Sequence, residues 1–334
     1  MSVLSFAVVG TGRIAADYLH ALDRVAELEL VGVADRRRDA VGPVGERWSC
    51  ETFASAAALL AATRPDAVLV AVPPVDHEPV VLECLAAGAH VLAEKPFALS
   101  TKSGERMFAA AQARQRLLTM SAKFRHVRDV IEAKARIESG ALGTLVFAHN
   151  VFAAEVPMGD RWNSDLAVSG GGVVIDSATH SVDLLRYLFG PIEWVQAVRA
   201  PAAQTLAVED SARLTVGFAT GPLASVDVSW SVSTRSPWYL EVHGTDGSLR
   251  LGWRGSVLER KGEARPRDLS AGDSGGGYDK VDALGRQLRN FARGAAGDEK
   301  LLLEQVDVLA SVAVIEAANT SLASEGARVG VRQP

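Results

Sequence analysis

The sequence predicts an α/β Rossmann domain with a doubly wound parallel sheet, followed by an α+β domain with a large, open and mainly antiparallel sheet. In the first third of the chain, short β-branched runs alternate with segments of helical period, a pattern typical of a parallel sheet covered on both faces. From about residue 144, strand-like runs follow one another through tight turns, which favours antiparallel pairing. We expect domains at residues 1–122 and 123–334.

The elements of the first domain are predicted in strict alternation. Strands are expected at 3–9, 28–34, 67–72, 89–93 and 116–121, and helices at 13–24, 55–62, 77–87 and 101–113. The strands are apolar on both faces, so both faces of the sheet are expected to be buried.

The second domain is expected to begin with a helix at 127–139. Strands are predicted at 144–152, 193–200, 212–218, 224–232, 239–244, 248–251 and 257–260, and further helices at 173–188, 282–292 and 301–324. Thr245-Asp246-Gly247 is a hairpin signal. The last helix could pack back toward the first domain, and residues 261–280 are predicted to form a surface loop or a lid.

Composition excludes several classes of protein. The 334 residues carry 35 basic and 40 acidic side chains, for a net charge of −5, without the cation clusters that bind nucleic acid. No apolar run approaches the roughly 18 residues of a membrane span, and the first residues lack the positive n-region of a signal peptide. Cys50 and Cys84 lie outside any CxxC or Cys/His cluster, so we expect reduced core thiols and a cytoplasmic protein.

A glycine turn follows the first predicted strand. In Gly10-Thr11-Gly12-Arg13-Ile14-Ala15 the small residues permit a tight turn, a close approach to a pyrophosphate and close packing of helix on strand. Asp35 ends the next strand, 20 residues after Ala15, where a carboxylate would accept hydrogen bonds from a ribose 2′-hydroxyl. We therefore predict NAD, with NADP as the alternative because Arg36 and Arg37 could pair with a 2′-phosphate.

Two further segments carry side chains suited to proton transfer. Lys95, within Glu94-Lys95-Pro96, lies at the carboxyl edge of the predicted sheet, where ligands of such folds bind. Asp176, His180 and Asp183 are spaced by four and three residues, which predicts one helix face. From the residues alone, His180 is equally consistent with a core histidine or a proton-transfer group. His149, Glu155 and Asp160 show no metal-ligand spacing, so no metal is predicted.

These motifs together resemble the glucose–fructose oxidoreductase, inositol dehydrogenase and rhizopine catabolism (Gfo/Idh/MocA) family. The resemblance rests on the glycine turn, Pro-Pro-Val-Asp-His at residues 73–77, Glu94-Lys95-Pro96, and Gly-Gly-Gly-x3-Asp-x3-His-x2-Asp at residues 170–183, in that order. It covers essentially the whole chain and implies a sugar, cyclitol or related polyol as the substrate. It also implies a homodimer or homotetramer formed through the second sheet.

The resemblance further implies the roles of individual residues. Lys95, Asp176 and His180 would be catalytic: His180 would move the hydroxyl proton, Asp176 would orient the ring, and Lys95 would stabilise charge on the reacting oxygen. Cofactor contacts are expected at Gly10, Thr11, Gly12, Arg13, Ile14, Asp35, Arg36, Pro73, His77, Glu94 and Lys95. Substrate contacts are expected at Lys123, Arg125, Trp162, Asp176 and His180.

Three other functions remain as alternatives. Some members of the family oxidise a sugar transiently and eliminate its substituent, so that the net reaction is glycoside hydrolysis; others are non-catalytic sensors of a sugar or cofactor. Gly272-Asp273-Ser274-Gly275-Gly276 matches a serine-nucleophile pattern, but the residues before it are too polar for the buried strand that such an elbow requires. An NAD(P)-dependent dehydrogenase or ketoreductase is therefore the favoured prediction.

Overall fold

The computed structural model describes residues 3–269 and 276–334, and the chain divides into two compact units. The first comprises Met1–Lys123 and Lys280–Leu309, and the second comprises Phe124–Asp279 and Ala310–Pro334. The first junction lies next to the boundary expected from the sequence. The segment Lys280–Leu309, expected in the second domain, instead belongs to the first unit.

The first unit contains a parallel sheet. In the described residues its strands are β1 (Leu4–Val9), β2 (Leu28–Ala34), β3 (Glu51–Phe53), β4 (Ala67–Val70), β5 (His90–Ala93) and β6 (Leu118–Met120). The order is β3-β2-β1-β4-β5-β6, and each neighbouring pair is parallel. This is the doubly wound order of the dinucleotide-binding folds and confirms the predicted class. The sequence did not reveal β3, because it is a three-residue edge strand with no fully buried residue.

Helices of the first unit cover this sheet. They are α1 (Arg13–Leu22), α2 (Arg38–Trp48), α3 (Ala56–Thr63), α4 (His77–Ala86) and α5 (Thr101–Ala113). The sequence missed α2, because Gly42, Pro43 and Gly45 interrupt its apolar period. Gly45 is needed where the helix meets β3, since a Cβ there would collide with the side chain of Thr52.

The second unit is built on a mixed sheet that is mostly antiparallel. Its strands in the described residues are β7 (Leu145–Ala153), β8 (Ile192–Arg199), β9 (Ser211–Phe218), β10 (Leu223–Ser229), β11 (Trp238–Gly244), β12 (Gly247–Gly252), β13 (Val257–Arg260), β14 (Arg267–Asp268) and β15 (Val329–Gly330). The order is β14-β13-β12-β11-β7-β10-β9-β8-β15, in which β7 and β10 are parallel and the other neighbours antiparallel. The prediction of a large, mainly antiparallel sheet is confirmed, and β14 adds a two-residue strand inside the predicted loop at 261–280.

The helical segment that carries Asp176 and His180 is not uniform. After α6 (Arg128–Glu138) and the short α7 (Leu166–Ser169), a π-helical turn spans Val174–Ala178, and α8 (Thr179–Phe189) continues from it. From the sequence we expected one continuous α-helix over 173–188. Such wide turns are rare and occur frequently at functional sites.

Two long helices complete the fold. Helix α9 (Lys280–Ala295) packs on α1 in the first unit, where Leu284, Leu288 and Phe291 join the core around Tyr18. Within the described residues, α10 (Gln305–Ala323) is long and apolar enough to cross a membrane by length and composition, contrary to the expectation from the sequence. However, 61% of its apolar window is buried in the structure, as in the core helix of a soluble protein.

Candidate active site

The glycine turn after β1 has the geometry of an anion cradle. Gly10 has φ +94°, and a Cβ there would collide with the carbonyl group of Ala71, so only glycine fits. A Cβ on Gly12 would meet nothing within 4 Å. Gly12 is the N-cap of α1, which has no side-chain cap and no acidic residue in its first turn. The N–H groups and positive end of the helix dipole therefore fit a pyrophosphate, which they would hold from the backbone.

Asp35 lies beside this turn, at the carboxyl end of β2. Its carboxylate accepts hydrogen bonds from the Thr11 backbone N–H (2.8 Å), the Thr11 hydroxyl (2.9 Å) and the Arg37 backbone N–H (2.9 Å). Burial alone would raise the pKa of Asp35, but these hydrogen bonds lower it below its ordinary value. Asp35 is therefore ionised at neutral pH and acts as a hydrogen-bond acceptor.

The two arginines that could favour NADP are each paired with a carboxylate. The guanidinium of Arg36 pairs with Asp76, and the Nε of Arg37 lies 3.4 Å from Oδ1 of Asp35. Exposed ion pairs of this kind are weak. In this structure both guanidinium groups are nevertheless already engaged with carboxylates.

Lys95 follows Glu94, whose buried carboxylate is fixed by residues distant in sequence. Oε1 of Glu94 accepts a hydrogen bond from the Tyr18 hydroxyl (3.0 Å), and Oε2 accepts one from the Lys95 backbone N–H (3.0 Å). The Tyr18 hydroxyl lies 2.6 Å from the hydroxyl of Ser121 and accepts a hydrogen bond from Nε2 of Gln287 (2.9 Å). Helix α9 thus contributes to holding the backbone at Lys95, and the Lys95–Pro96 peptide bond is cis.

His77 contacts the chain just beyond Lys95. It is buried, with Nε2 2.9 Å from the carbonyl oxygen of Val72 and Nδ1 3.2 Å from that of Phe97. Burial lowers the pKa of His77 despite these carbonyl groups. His77, a predicted cofactor contact, thus links the chain just after β4 to the chain beyond Lys95. Pro73 precedes a short 3₁₀ turn, Pro74–Asp76, that leads into α4.

Lys123 lies in a field of neighbouring charges in the first unit. Burial, and next the positive charge of Lys95, lower its pKa to about 8, against a partial compensation from Glu94 and Asp17. Lys280 adds a further positive charge and is itself paired with Asp17 at 2.6 Å. A group with a pKa near 8 can exchange a proton close to neutral pH.

In the second unit, Asp176 lies within the π-helical turn and is held by an indole. Nε1 of Trp230, directly after β10, donates a hydrogen bond of 3.1 Å to Oδ2 of Asp176. The preceding glycines are held by Glu209, which accepts hydrogen bonds from the backbone N–H groups of Gly172 (3.2 Å) and Val174 (3.1 Å). A Cβ on Gly172 would collide with the Glu209 backbone, so the close approach requires glycine.

His180 lies against aromatic rings, on the first turn of α8. Its ring is edge-on to Phe124, with centroids 5.5 Å apart, and to Phe152, at 6.3 Å. Phe124 and Phe152 are stacked on each other at 4.8 Å. Contact with this stacked pair of rings limits the orientations that the imidazole can adopt.

The remaining predicted residues have different surroundings. Asp183 does not share the environment of Asp176: it is buried and ion-paired with Arg125, whose Nε lies 2.9 Å from Oδ1. Arg125 is thus engaged inside the second unit, which favours a structural role over substrate contact. Trp162 is 44% exposed, in a 3₁₀ turn. Of the serine pattern, residues 272–275 lie outside the described part of the chain.

Sequence reasoning missed the residues that position these groups. Tyr18, Gln287, Glu209 and Trp230 belong to no motif, and each bonds to a partner 30 or more positions away in the chain. Among the residues that the structure describes, no group of three His, Cys, Asp or Glu side chains could hold a metal ion.

The parallel sheet, the glycine turn and the ionised Asp35 define a dinucleotide-binding protein of the Rossmann class. A family model described as an oxidoreductase family with an NAD-binding Rossmann fold matches residues 4–122. A second model, the GFO/IDH/MocA C-terminal domain, matches residues 130–250. The chain belongs to the Gfo/Idh/MocA family of oxidoreductases, as the sequence motifs predict.

Similar proteins carry the names of sugar and polyol dehydrogenases. Inositol 2-dehydrogenase 3 of Saccharopolyspora erythraea is 31% identical over 73% of this chain and 72% of its own. D-glucoside 3-dehydrogenase of Escherichia coli is 28% identical over 72% of this chain and 74% of its own. A levoglucosan dehydrogenase, solved with NADH and levoglucosan, has the same fold, with a TM-score of 0.89 over 99% of this chain and 100% of that one at 19% identity. These names support an oxidoreductase that acts on CH–OH groups.

Proposed function

We propose that this protein is an NAD-dependent dehydrogenase or ketoreductase that interconverts CH–OH and C=O groups of a sugar, cyclitol or related polyol. One observation carries the proposal: this member of the family has Lys95 beside the fixed carboxylate of Glu94, and His180 four residues after Asp176, which is bound by an indole N–H. Named relatives that act on inositol and glucosides support this substrate class.

The proposed catalytic residues are Lys95, Asp176 and His180. A bound nicotinamide would supply the hydride acceptor or donor. His180 takes the hydroxyl proton in oxidation as the neutral imidazole and returns it in reduction as the imidazolium, since histidine can serve in either protonation state. Asp176 stabilises the imidazolium, and the Lys95 ammonium donates a hydrogen bond to the reacting oxygen as negative charge develops on it.

NAD is the proposed cofactor, rather than NADP. Asp35 is ionised and would accept hydrogen bonds from a ribose 2′-hydroxyl but would repel a 2′-phosphate. Arg36 and Arg37 are paired with carboxylates, so a 2′-phosphate would have to displace those pairs. Gly10, Thr11, Gly12, Arg13 and Ile14 are proposed to hold the pyrophosphate through their backbone.

The proposal extends to the substrate side and to the setting of the enzyme. Lys123 and Trp162 are proposed substrate contacts, and the second unit is proposed to form a homodimer or homotetramer through its sheet. Exposed apolar side chains on that sheet, such as Phe147 and Leu223, are consistent with a covered face. Free thiols at Cys50 and Cys84 support a reducing compartment, and we propose the cytoplasm.

A substrate panel tests the activity. Inositols, aldoses and methyl glycosides would each be offered with NAD and with NADP, and nicotinamide absorbance would be followed. We expect reduction of NAD by at least one ring polyol, with NADP poorer. The absence of turnover with either nucleotide, in both directions, would contradict the proposal.

The Lys95→Met variant tests the assignment of roles. It removes the charge and keeps the length of the side chain, so we expect kcat to fall by roughly two to three orders of magnitude, as for loss of one group that stabilises a developing oxyanion. The Kd for NADH, measured by fluorescence, should change little. Lys102→Met, on the exposed surface of α5, is the matched control. An equal loss of NADH affinity would point to a cofactor-binding lysine instead.

A further inference from the structure

An aromatic surface adjoins His180 in the second unit. It consists of Phe152, Trp253 and Tyr278, backed by the buried rings of Phe124 and Tyr239; we call these five residues the aromatic patch. Trp253 lies 5.4 Å from Tyr278, 4.9 Å from Tyr239 and 6.0 Å from Phe152, measured between ring centroids. Phe152 and Phe124 in turn contact His180. The rings are thus continuous from the proposed catalytic histidine to Trp253.

Trp253 is exposed although its backbone is fixed on both sides. Its side chain is 41% exposed, while its N–H donates to the carbonyl of Pro237 (3.1 Å) and its carbonyl accepts from the N–H of Tyr278 (3.2 Å). A tryptophan that served only to fill the core would be buried, because exposing so large an apolar surface is unfavourable. A fixed and partly exposed indole is preorganised to contact a ligand.

The segment that carries Tyr278 is held in register by a second set of contacts. Gly277 has φ +105°, and a Cβ there would come within 2.7 Å of the Arg254 backbone, so only glycine allows this approach to the end of β12. The buried Asp129 accepts hydrogen bonds from the Gly277 N–H (3.0 Å) and from the Ser256 hydroxyl (2.6 Å). Tyr278 consequently stacks on Phe124 at 5.1 Å and meets Trp253 edge-on.

We propose that the aromatic patch is a substrate subsite that stacks on the C–H face of a ring-closed polyol, so that the enzyme selects pyranoses and cyclitols over open-chain alditols. This inference rests on the proposed function and narrows its substrate class. A pyranose or cyclitol presents several C–H bonds on one rigid face, which matches the face of an indole. An open-chain alditol has no such preformed face and loses more conformational freedom on binding. The polar groups that fix orientation are then His180 and Asp176, as in sites lined by apolar rings with few polar groups.

The test compares ring-closed and open-chain ligands in wild type, Trp253→Ala, Trp253→Phe and Phe147→Ala. The probes are inositols, 1,5-anhydro-D-glucitol and methyl glycosides against D-glucitol and the other alditols. Binding is measured by calorimetry with NADH present, and kcat/KM with NAD. Phe147 is the control, because it is exposed on the same strand as Phe152, five residues away and so on the opposite face of the sheet.

We expect wild type to prefer ring-closed ligands, and Trp253→Ala to lose roughly tenfold of their affinity and kcat/KM, the value of one good stacking contact. The affinity for open-chain alditols and for NADH should be unchanged. Trp253→Phe keeps a ring and should retain affinity within about threefold, which also separates stacking from a failure of the alanine variant to fold. Phe147→Ala, on the sheet face proposed to be covered in the oligomer, should keep the wild-type preference for ring-closed over open-chain ligands.

Several results would overturn the inference: equal losses for ring-closed and open-chain ligands, a loss of NADH affinity instead, a wild type that prefers alditols, or no binding of any ring-closed probe. If wild type turns over ring polyols and Trp253→Ala leaves the preference intact, the subsite is wrong and the proposed function stands. If no polyol is turned over but ring-closed ligands bind and need Trp253, the proposed reaction is wrong and the subsite stands.

Discussion

Lys123 should weaken the folded state at neutral pH. Its pKa is lowered to about 8, first by burial and then by the charge of Lys95, from an ordinary value near 10.5. Below pH 8 the lysine is protonated in both the folded and unfolded states, and the folded state bears the full cost of the buried charge. A pKa depression of this size corresponds to up to about 3 kcal/mol. Lys123→Met, which removes the charge, should raise the free energy of unfolding by up to that amount at pH 7.

The advantage of the variant should disappear as the pH rises. Between pH 8 and 10.5 the unfolded state binds the proton and the folded state does not, so the stability of wild type rises with pH by at most about 1.4 kcal/mol per pH unit. Urea denaturation of both proteins at pH 7, 8, 9 and 10 measures the difference, in which other titrating groups cancel. Lys102→Met is the control. A difference that stays flat across this range, or that widens, would refute the argument.

Three further predictions follow from buried contacts. Tyr18→Phe removes the hydroxyl that donates to the Glu94 carboxylate and should lower the free energy of unfolding in urea by about 2–3 kcal/mol, the value of a hydrogen bond to a charged group. Tyr187→Phe, whose hydroxyl has no hydrogen-bond partner within the described chain, should lower that free energy far less. Similar losses in both variants would contradict a stabilising Tyr18–Glu94 hydrogen bond. Burial raises the pKa of both thiols, that of the fully buried Cys84 to about 12. Iodoacetamide at pH 8 should therefore label Cys50 much faster than Cys84 in the native protein and both thiols at similar rates in urea, as read by mass spectrometry; equal native rates would be the contrary result. Trp230→Phe removes the N–H donor to Asp176 and should lower kcat about tenfold with NADH affinity unchanged. The control Trp48→Phe should leave kcat unchanged. A pH profile and kcat of Trp230→Phe identical to those of wild type would show that the indole does not position Asp176.

The first sheet could be predicted from the sequence because its strands are fully buried and its turns are marked by glycine. In β4, Ala67 through Val70 are all apolar and buried, which leaves an unbroken apolar run. Gly10 marks the end of β1, since no other residue fits beside Ala71. Elements with weak burial left no such pattern: β3 exposes most of its three residues, and α2 contains two glycines and a proline.

The return of α9 to the first unit could not be predicted, because amphipathicity shows that a helix has an apolar face but not which surface covers it. Leu284, Leu288 and Phe291 are spaced as in any amphipathic helix. Their partner is α1, more than 250 positions earlier in the chain. The same helix brings Gln287 to Tyr18, so this unpredicted packing also shapes the surroundings of Lys95.

The motifs therefore identify the reacting side chains, while other residues fix where those side chains lie. Glu94 is oriented by Tyr18 from α1 and, through it, by Gln287 from α9; Asp176 is oriented by Trp230, directly after β10. Each of these donors is buried, so its hydrogen bond lies in a low-dielectric environment, where losing a bond costs more than it does at the surface. Precision at Lys95 and Asp176 is consequently a property of the two folded cores, and a substitution of Gln287 or Trp230 should change turnover without altering any motif residue.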